Sequence, residues 1–100
     1  MNERPIPPAA LRDENSVEML RVWIAERRLH CSMKVGLYQD SMGIPEADAW
    51  GTILADVTRH LADALESQYG IRKEDSISKI TSALLDEISK PTSKTNGGFA

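Results

Sequence analysis

A chain of 100 residues makes a single domain, and at that size folding removes only about two thirds of the surface the unfolded form exposes, so stability rests on few core side chains. The net charge of −3 and a pI near 5.3 set a repulsive field before any phosphate backbone, which argues against a general nucleic-acid binder. One cysteine, Cys31, excludes an internal disulfide and suits a reducing, cytoplasmic setting.

The first fifteen or so residues read as an extended arm. Pro5, Pro7 and Pro8 fix φ and lack a donor, and Ile6 and Leu11 are the only large apolar anchors. Nothing here resembles the apolar core of a signal peptide, and no run in the chain reaches the roughly 18 apolar residues a membrane span requires. A soluble protein without a membrane partner is expected.

From Leu20 the pattern becomes strict alternation. Leu20, Val22 and Ile24 precede Glu26-Arg27-Arg28, and Leu29, Cys31, Met33, Val35 and Leu37 follow, which predicts an antiparallel β-hairpin over about 18–38. A two-residue turn at Arg27-Arg28 would set Ile24 against Cys31, Val22 against Met33 and Leu20 against Val35. A four-residue loop gives the same pairing. The four-residue loop is favoured, because arginines are poor occupants of the positive-φ positions of a primed turn. The opposite face carries Met19, Arg21, Trp23 and Ala25 on one strand and His30, Ser32, Lys34, Gly36 and Tyr38 on the other. A lone hairpin is marginal in water and leaves both edges open, so something must pair with it or cover it.

After Pro45 the period becomes helical. Pro45, Glu46 and Asp48 open a helix over about 45–69, with an apolar stripe of Trp50, Ile53, Leu54, Val57, Leu61 and Leu65 and a C-cap at Gly70. Gly51 in this helix would allow close approach to the hairpin. A second helix over about 72–90 has Glu74 and Asp75 in its first turn and Ile77, Ile80, Leu84 and Ile88 at helical spacing, and Pro91 ends it. Residues 91–100 read as a flexible tail unless Phe99 docks. The expected architecture is α+β, residues 1–100 as one domain, with the hairpin packed against two C-terminal helices between an extended arm and a tail.

No catalytic, metal or cofactor signature stands out. His30 and Cys31 are adjacent on a strand and project to opposite faces, so they cannot share a metal or act as nucleophile and base. Asp56 with His60, and Arg59 with Asp63, have the i,i+4 spacing of helix-surface ion pairs. Gly97-Gly98 precedes no helix and cannot cradle a phosphate as a strand-to-helix glycine loop does. Gly36 reads as a bulge or a point of close approach.

Glu18-Met19-Leu20-Arg21-Val22-Trp23-Ile24-Ala25 resembles a bacterial family known as domain of unknown function 5076. The likeness extends to Pro5-Ile6-Pro7-Pro8-Ala9-Ala10-Leu11, Leu29-His30-Cys31, Val35-Gly36-Leu37-Tyr38, Trp50-Gly51, Leu54-Ala55-Asp56-Val57, Arg59-His60, Pro91-Thr92-Ser93 and Gly97-Gly98-Phe99. It implies no activity, cofactor or catalytic residue. The family pattern has glycine near the hairpin turn where this chain has Arg27-Arg28, which leaves the loop type open.

The leading expectation for function is a small non-enzymatic interaction module that homodimerises through its hairpin. Edge-to-edge pairing would make a four-stranded sheet, with Met19, Arg21, Trp23 and Tyr38 as the candidate interface. The alternative is a small anionic-ligand binding protein or enzyme, its pocket between hairpin and helix, with Arg21, His30 and Lys34 orienting the ligand. Nucleic-acid binding stands third, on the cluster Arg21, Arg27, Arg28 and Lys34 beside Trp23.

Overall fold

The hairpin reverses at Glu26-Arg27, two L-residues with φ of 51° and 64°. Positive φ at both central positions is the type I′ requirement; it matches the twist of the flanking strands but costs an L-residue about 1 kcal/mol or more at each position. In the computed structural model, which describes residues 1–100, this turn joins β1 (Leu20–Ala25) to β2 (Arg28–Met33). The four-residue loop is therefore replaced by a two-residue one, set one position earlier than Arg27-Arg28. Ile24 now faces Leu29, Val22 faces Cys31 and Leu20 faces Met33. Because every partner shifts by two, the six residues still share one face.

Strand β2 is central. After the two long helices the C-terminal segment returns as β3 (Thr95–Phe99), parallel to β2, and the sheet order is β1-β2-β3. The expected flexible tail is thus a strand. Its backbone continues the ladder as Ala100 N–H donates to Met33 O at 3.2 Å and Val35 N–H donates to Ala100 O at 2.7 Å. The glycines permit this. Gly97 has φ of 130°, and a Cβ there would collide with the Cys31 carbonyl. At the end of α4 (Lys73–Ser89) Glu87 helps reverse the chain, accepting from Thr92 N–H at 3.1 Å and from its hydroxyl at 2.8 Å.

The hairpin alternation also stops sooner than 38. Gly36, with φ of 106°, turns the chain into a short helix, α2 (Leu37–Met42), so Leu37 and Tyr38 are helical rather than extended. Preceding it, the arm holds one short helix, α1 (Pro8–Arg12). No side chain of its own caps α2. The cap comes from Glu46, the first residue of α3 (Glu46–Tyr69), whose Oε1 accepts from Gln39 N–H at 3.0 Å and Tyr38 N–H at 3.1 Å. Glu46 Oε2 accepts from the Trp50 indole N–H at 3.1 Å, and Gln39 Oε1 in turn accepts Glu46 N–H at 3.4 Å. This exchange fixes the angle at which α3 leaves α2. The amides of Gln39, Gly36 and Tyr38 and the Trp50 indole together hold the Glu46 carboxyl below the usual carboxylate range, against opposing desolvation.

Helices α3 and α4 form an antiparallel pair joined at Gly70, whose φ of 70° ends α3 while its N–H donates to Glu66 O at 2.8 Å. Lys73 ties the pair at this end, 3.0 Å from Asp63. Trp50, Ile53, Leu65, Ile77 and Ile80 are half-buried, whereas Leu54, Val57 and Leu61 of the expected α3 stripe are exposed. Gly51 is exposed, and a Cβ there would meet nothing within 4 Å, so it serves no close approach to the hairpin.

The sheet and the helical pair do not meet within the chain. No strand has a Cα within 8 Å of any Cα of α3 or α4. The α+β class holds, but the expected packing of hairpin against helices is not made. Only Ala49, Ala62 and Ser76 are buried. The accessible surface is 8440 Å², against about 5,700 Å² for a folded monomer of this mass, an excess of roughly 2,800 Å². The radius of gyration, 15.4 Å, likewise exceeds the roughly 13 Å of a closed 100-residue domain.

Two outcomes follow. Replacing Glu26-Arg27 by Asn-Gly (Glu26→Asn with Arg27→Gly) relieves the positive-φ cost and raises stability by about 1 kcal/mol, read as a thermal midpoint higher by about 4–8 °C. An unchanged midpoint would contradict the turn geometry. The depressed Glu46 carboxyl stabilises the fold fully above its unfolded value, and that contribution fades as pH falls toward the folded one. Glu46→Gln therefore melts below wild type at pH 7, and the gap closes below about pH 4.3. A gap that stays constant from pH 7 to pH 3 would show that the carboxylate charge is not what holds α2.

Candidate functional site

The alternation of β1 and β2, with the register of β3, sorts the sheet into two faces. On the apolar face three rows run across the strands: Leu20, Met33 and Phe99; Val22, Cys31 and Gly97; Ile24, Leu29 and Thr95. The middle row is the smallest, so the face is hollow at Cys31 and Gly97 between bulkier rims. Val22 is 49 %, Ile24 75 % and Phe99 80 % exposed, whereas Leu20, Leu29, Cys31 and Met33 are half-buried. Together Val22, Ile24 and Phe99 make a patch on one sheet face rather than scattered surface hydrophobes.

The other face carries Arg21, Trp23, His30, Ser32 and Asn96. Trp23 lies opposite His30, and His30 opposite Asn96. His30 Nε2 is 3.1 Å from the Ala25 carbonyl, and Asn96 Nδ2 is buried without a hydrogen-bond partner. Between the proline arm and β1 runs a groove of about 640 Å³, with Arg4, Ile6, Pro7, Val17, Arg21 and Trp23 in its lining. Its guanidinium is already matched. Arg21 donates to both carboxylate oxygens of Glu18, at 2.6 and 3.0 Å, and to Glu3 Oε2 at 2.8 Å. The hydrogen bonds from Arg21 lower the Glu18 carboxyl and raise the Arg21 guanidinium, and with Glu3 they tie the arm to β1. All three are well exposed, so solvent screens the attraction.

Of the four candidate interface residues, only Arg21 and Trp23 are brought together. Arg21 and Trp23 share the groove, Met19 precedes β1 and accepts Lys34 N–H at 2.9 Å through its carbonyl, and Tyr38 sits on α2. Of the three groups expected to orient an anion, Arg21 is paired with Glu3 and Glu18, His30 lies on the same sheet face beside the Ala25 carbonyl, and Lys34 follows β2. Asp56 pairs with Arg59 rather than His60, and Asp63 with Lys73 rather than Arg59. No three His, Cys, Asp or Glu side chains converge in a way that could hold a metal ion. No helix is long and apolar enough to cross a membrane.

The helical pair carries the second apolar surface. Leu54, Val57 and Leu61 recur at three and four residues on α3 and are all exposed, as are Leu84, Leu85 and Ile88 on α4. All but Leu85 were legible as members of apolar stripes. That they would stay bare was not, and neither was the membership of Gly97 and Phe99 in the sheet, for which a terminal aromatic was the one available signal.

The search of curated proteins gives no match. Among solved structures, one described as a candidate pyruvate dehydrogenase from the photosynthetic bacterium Rhodopseudomonas palustrus CGA009 is 21% identical, with a TM-score of 0.65 over 94% of this chain and 90% of that one. At that identity the likeness is one of fold. The family model for the domain of unknown function 5076 matches residues 3–92, from the arm through the end of α4 and short of β3. The chain belongs to the domain of unknown function 5076 family.

Proposed function

We propose that this protein is a non-enzymatic interaction module whose working form is a homodimer assembled through its hairpin sheet. The observation that carries the reading is the excess of roughly 2,800 Å² of surface over a closed monomer of its mass, with 8440 Å² exposed in all. Closing that excess on two chains would bury an area in the range of obligate homodimers. The hairpin acts through its apolar face, where Val22, Ile24 and Phe99 are exposed, while β3 occupies the outer edge of β2. Burial of Cys31 between subunits suits a reducing cytoplasm, where a lone thiol persists.

The anionic-ligand reading is the weaker one. It needs uncompensated positive charge in a pocket between hairpin and helix, and these do not meet within the chain, while Arg21 is neutralised by Glu3 and Glu18.

Molar mass by light scattering over a dilution series at moderate salt is expected to give twice 11.1 kDa at tens of micromolar. Ile24→Glu sharpens the test, because a side chain 75 % exposed in the single chain tolerates a charge at little cost if the protein is monomeric. In a dimer that buries it, the variant shifts the mass toward 11.1 kDa at concentrations where wild type remains paired. A wild-type mass of 11.1 kDa throughout would overturn the proposal.

A further inference from the structure

Given a dimer, which rests on the reading above, the structure also points to what each apolar face meets. We infer that the two chains exchange their helical pairs, so that α3 and α4 of one protomer cover the apolar sheet face of the other.

The topology leaves the layer open. A connection between adjacent parallel strands ordinarily lays its helices back on the sheet, and here residues 37–89 form that connection between β2 and β3. Yet no strand Cα lies within 8 Å of α3 or α4. The reciprocal contacts of Glu46 and Gln39 set the direction in which α3 departs. One chain therefore holds both halves of a sheet-and-helix core and joins neither to the other.

Shape selects the occupant. A hollow at Cys31 and Gly97, rimmed by Met33, Phe99, Ile24 and Leu29, accepts a convex helix surface, whereas two copies of the hollow face to face would enclose a void. Leu54, Val57 and Leu61 span about 10 Å along the axis of α3, which matches the width of three strands spaced about 4.8 Å apart, so the stripe can lie across the strands over the hollow. Sheet-to-sheet pairing would leave that stripe bare and require a second interface. Exchange covers both surfaces with one contact made twice, as a two-fold axis demands.

The sole native thiol, at 31, lies on the sheet face and makes a direct test possible. Wild type, which has no helix thiol, is mixed through unfolding and refolding with a differently tagged chain bearing Cys31→Ser and Val57→Cys, which has no sheet thiol. A short bismaleimide is then added. Exchange predicts a product of twice 11.1 kDa containing both tags, with the link mapping to positions 31 and 57. Leu61→Cys and Leu84→Cys, each in the Cys31→Ser chain, repeat the test should Val57→Cys fail to fold. Links only between like chains, or a link closed within a single chain that carries Cys31 and Val57→Cys, would overturn exchange while leaving dimerisation standing. A mixture that stays at 11.1 kDa before and after treatment would overturn both.

Discussion

A β-sheet with one apolar face must bury it against another layer, and in this molecule no helix of the same chain lies close to that face. Leu20, Val22, Ile24, Leu29, Cys31 and Met33 are placed on one side by simple alternation, and β3 adds Phe99 to them. The only elements large enough to cover that side, α3 and α4, stand away from it. With Ala49, Ala62 and Ser76 as the only buried residues, the single chain lacks the core that normally offsets conformational entropy. Small domains solve this with disulfides, metals or partner chains. One cysteine rules out the first within a chain, and the exposed apolar surface favours the last.

The arrangement of the connecting elements explains why the layers stay apart. Glu46 accepts backbone donors from α2 and the Trp50 indole at once, locking α2 to the start of α3. Gly36 and Gly43, with φ of 106° and 67°, bound α2 at both ends. The helical pair thus leaves the sheet along a direction set by hydrogen bonds rather than by contact with the apolar face. At the far end Glu87 clips Thr92 and turns the chain back toward β2, so the strand that completes the sheet follows the helices in the chain.

Local periodicity made the hairpin and both long helices legible. The remainder depended on partners distant in sequence. Glu26 and Arg27 are not turn formers; they adopt positive φ because the two apolar runs pair in that register and leave two residues between them. Thr95-Asn96-Gly97-Gly98-Phe99 has too little apolar content to announce a strand and forms one because β2 offers a free edge and Gly97 fits against Cys31. Strand-like alternation through Leu37 hid α2, whose cap comes from a residue seven or eight positions later. For the candidate site, the apolar face was readable from its alternation, but its being uncovered was not, since periodicity reports which side seeks burial and not which chain supplies it. Tyr38 stands apart from Arg21 and Trp23 for a related reason: it belongs to α2, while Arg21 is committed to Glu3 and Glu18.

Completion of one chain's fold by another makes the thermal midpoint depend on protein concentration. If unfolding is coupled to dissociation, each tenfold dilution lowers the midpoint by about 3–4 °C for two chains of this length. A midpoint that does not move across a hundredfold dilution would show that a single chain closes its own core and needs no partner chain to fold.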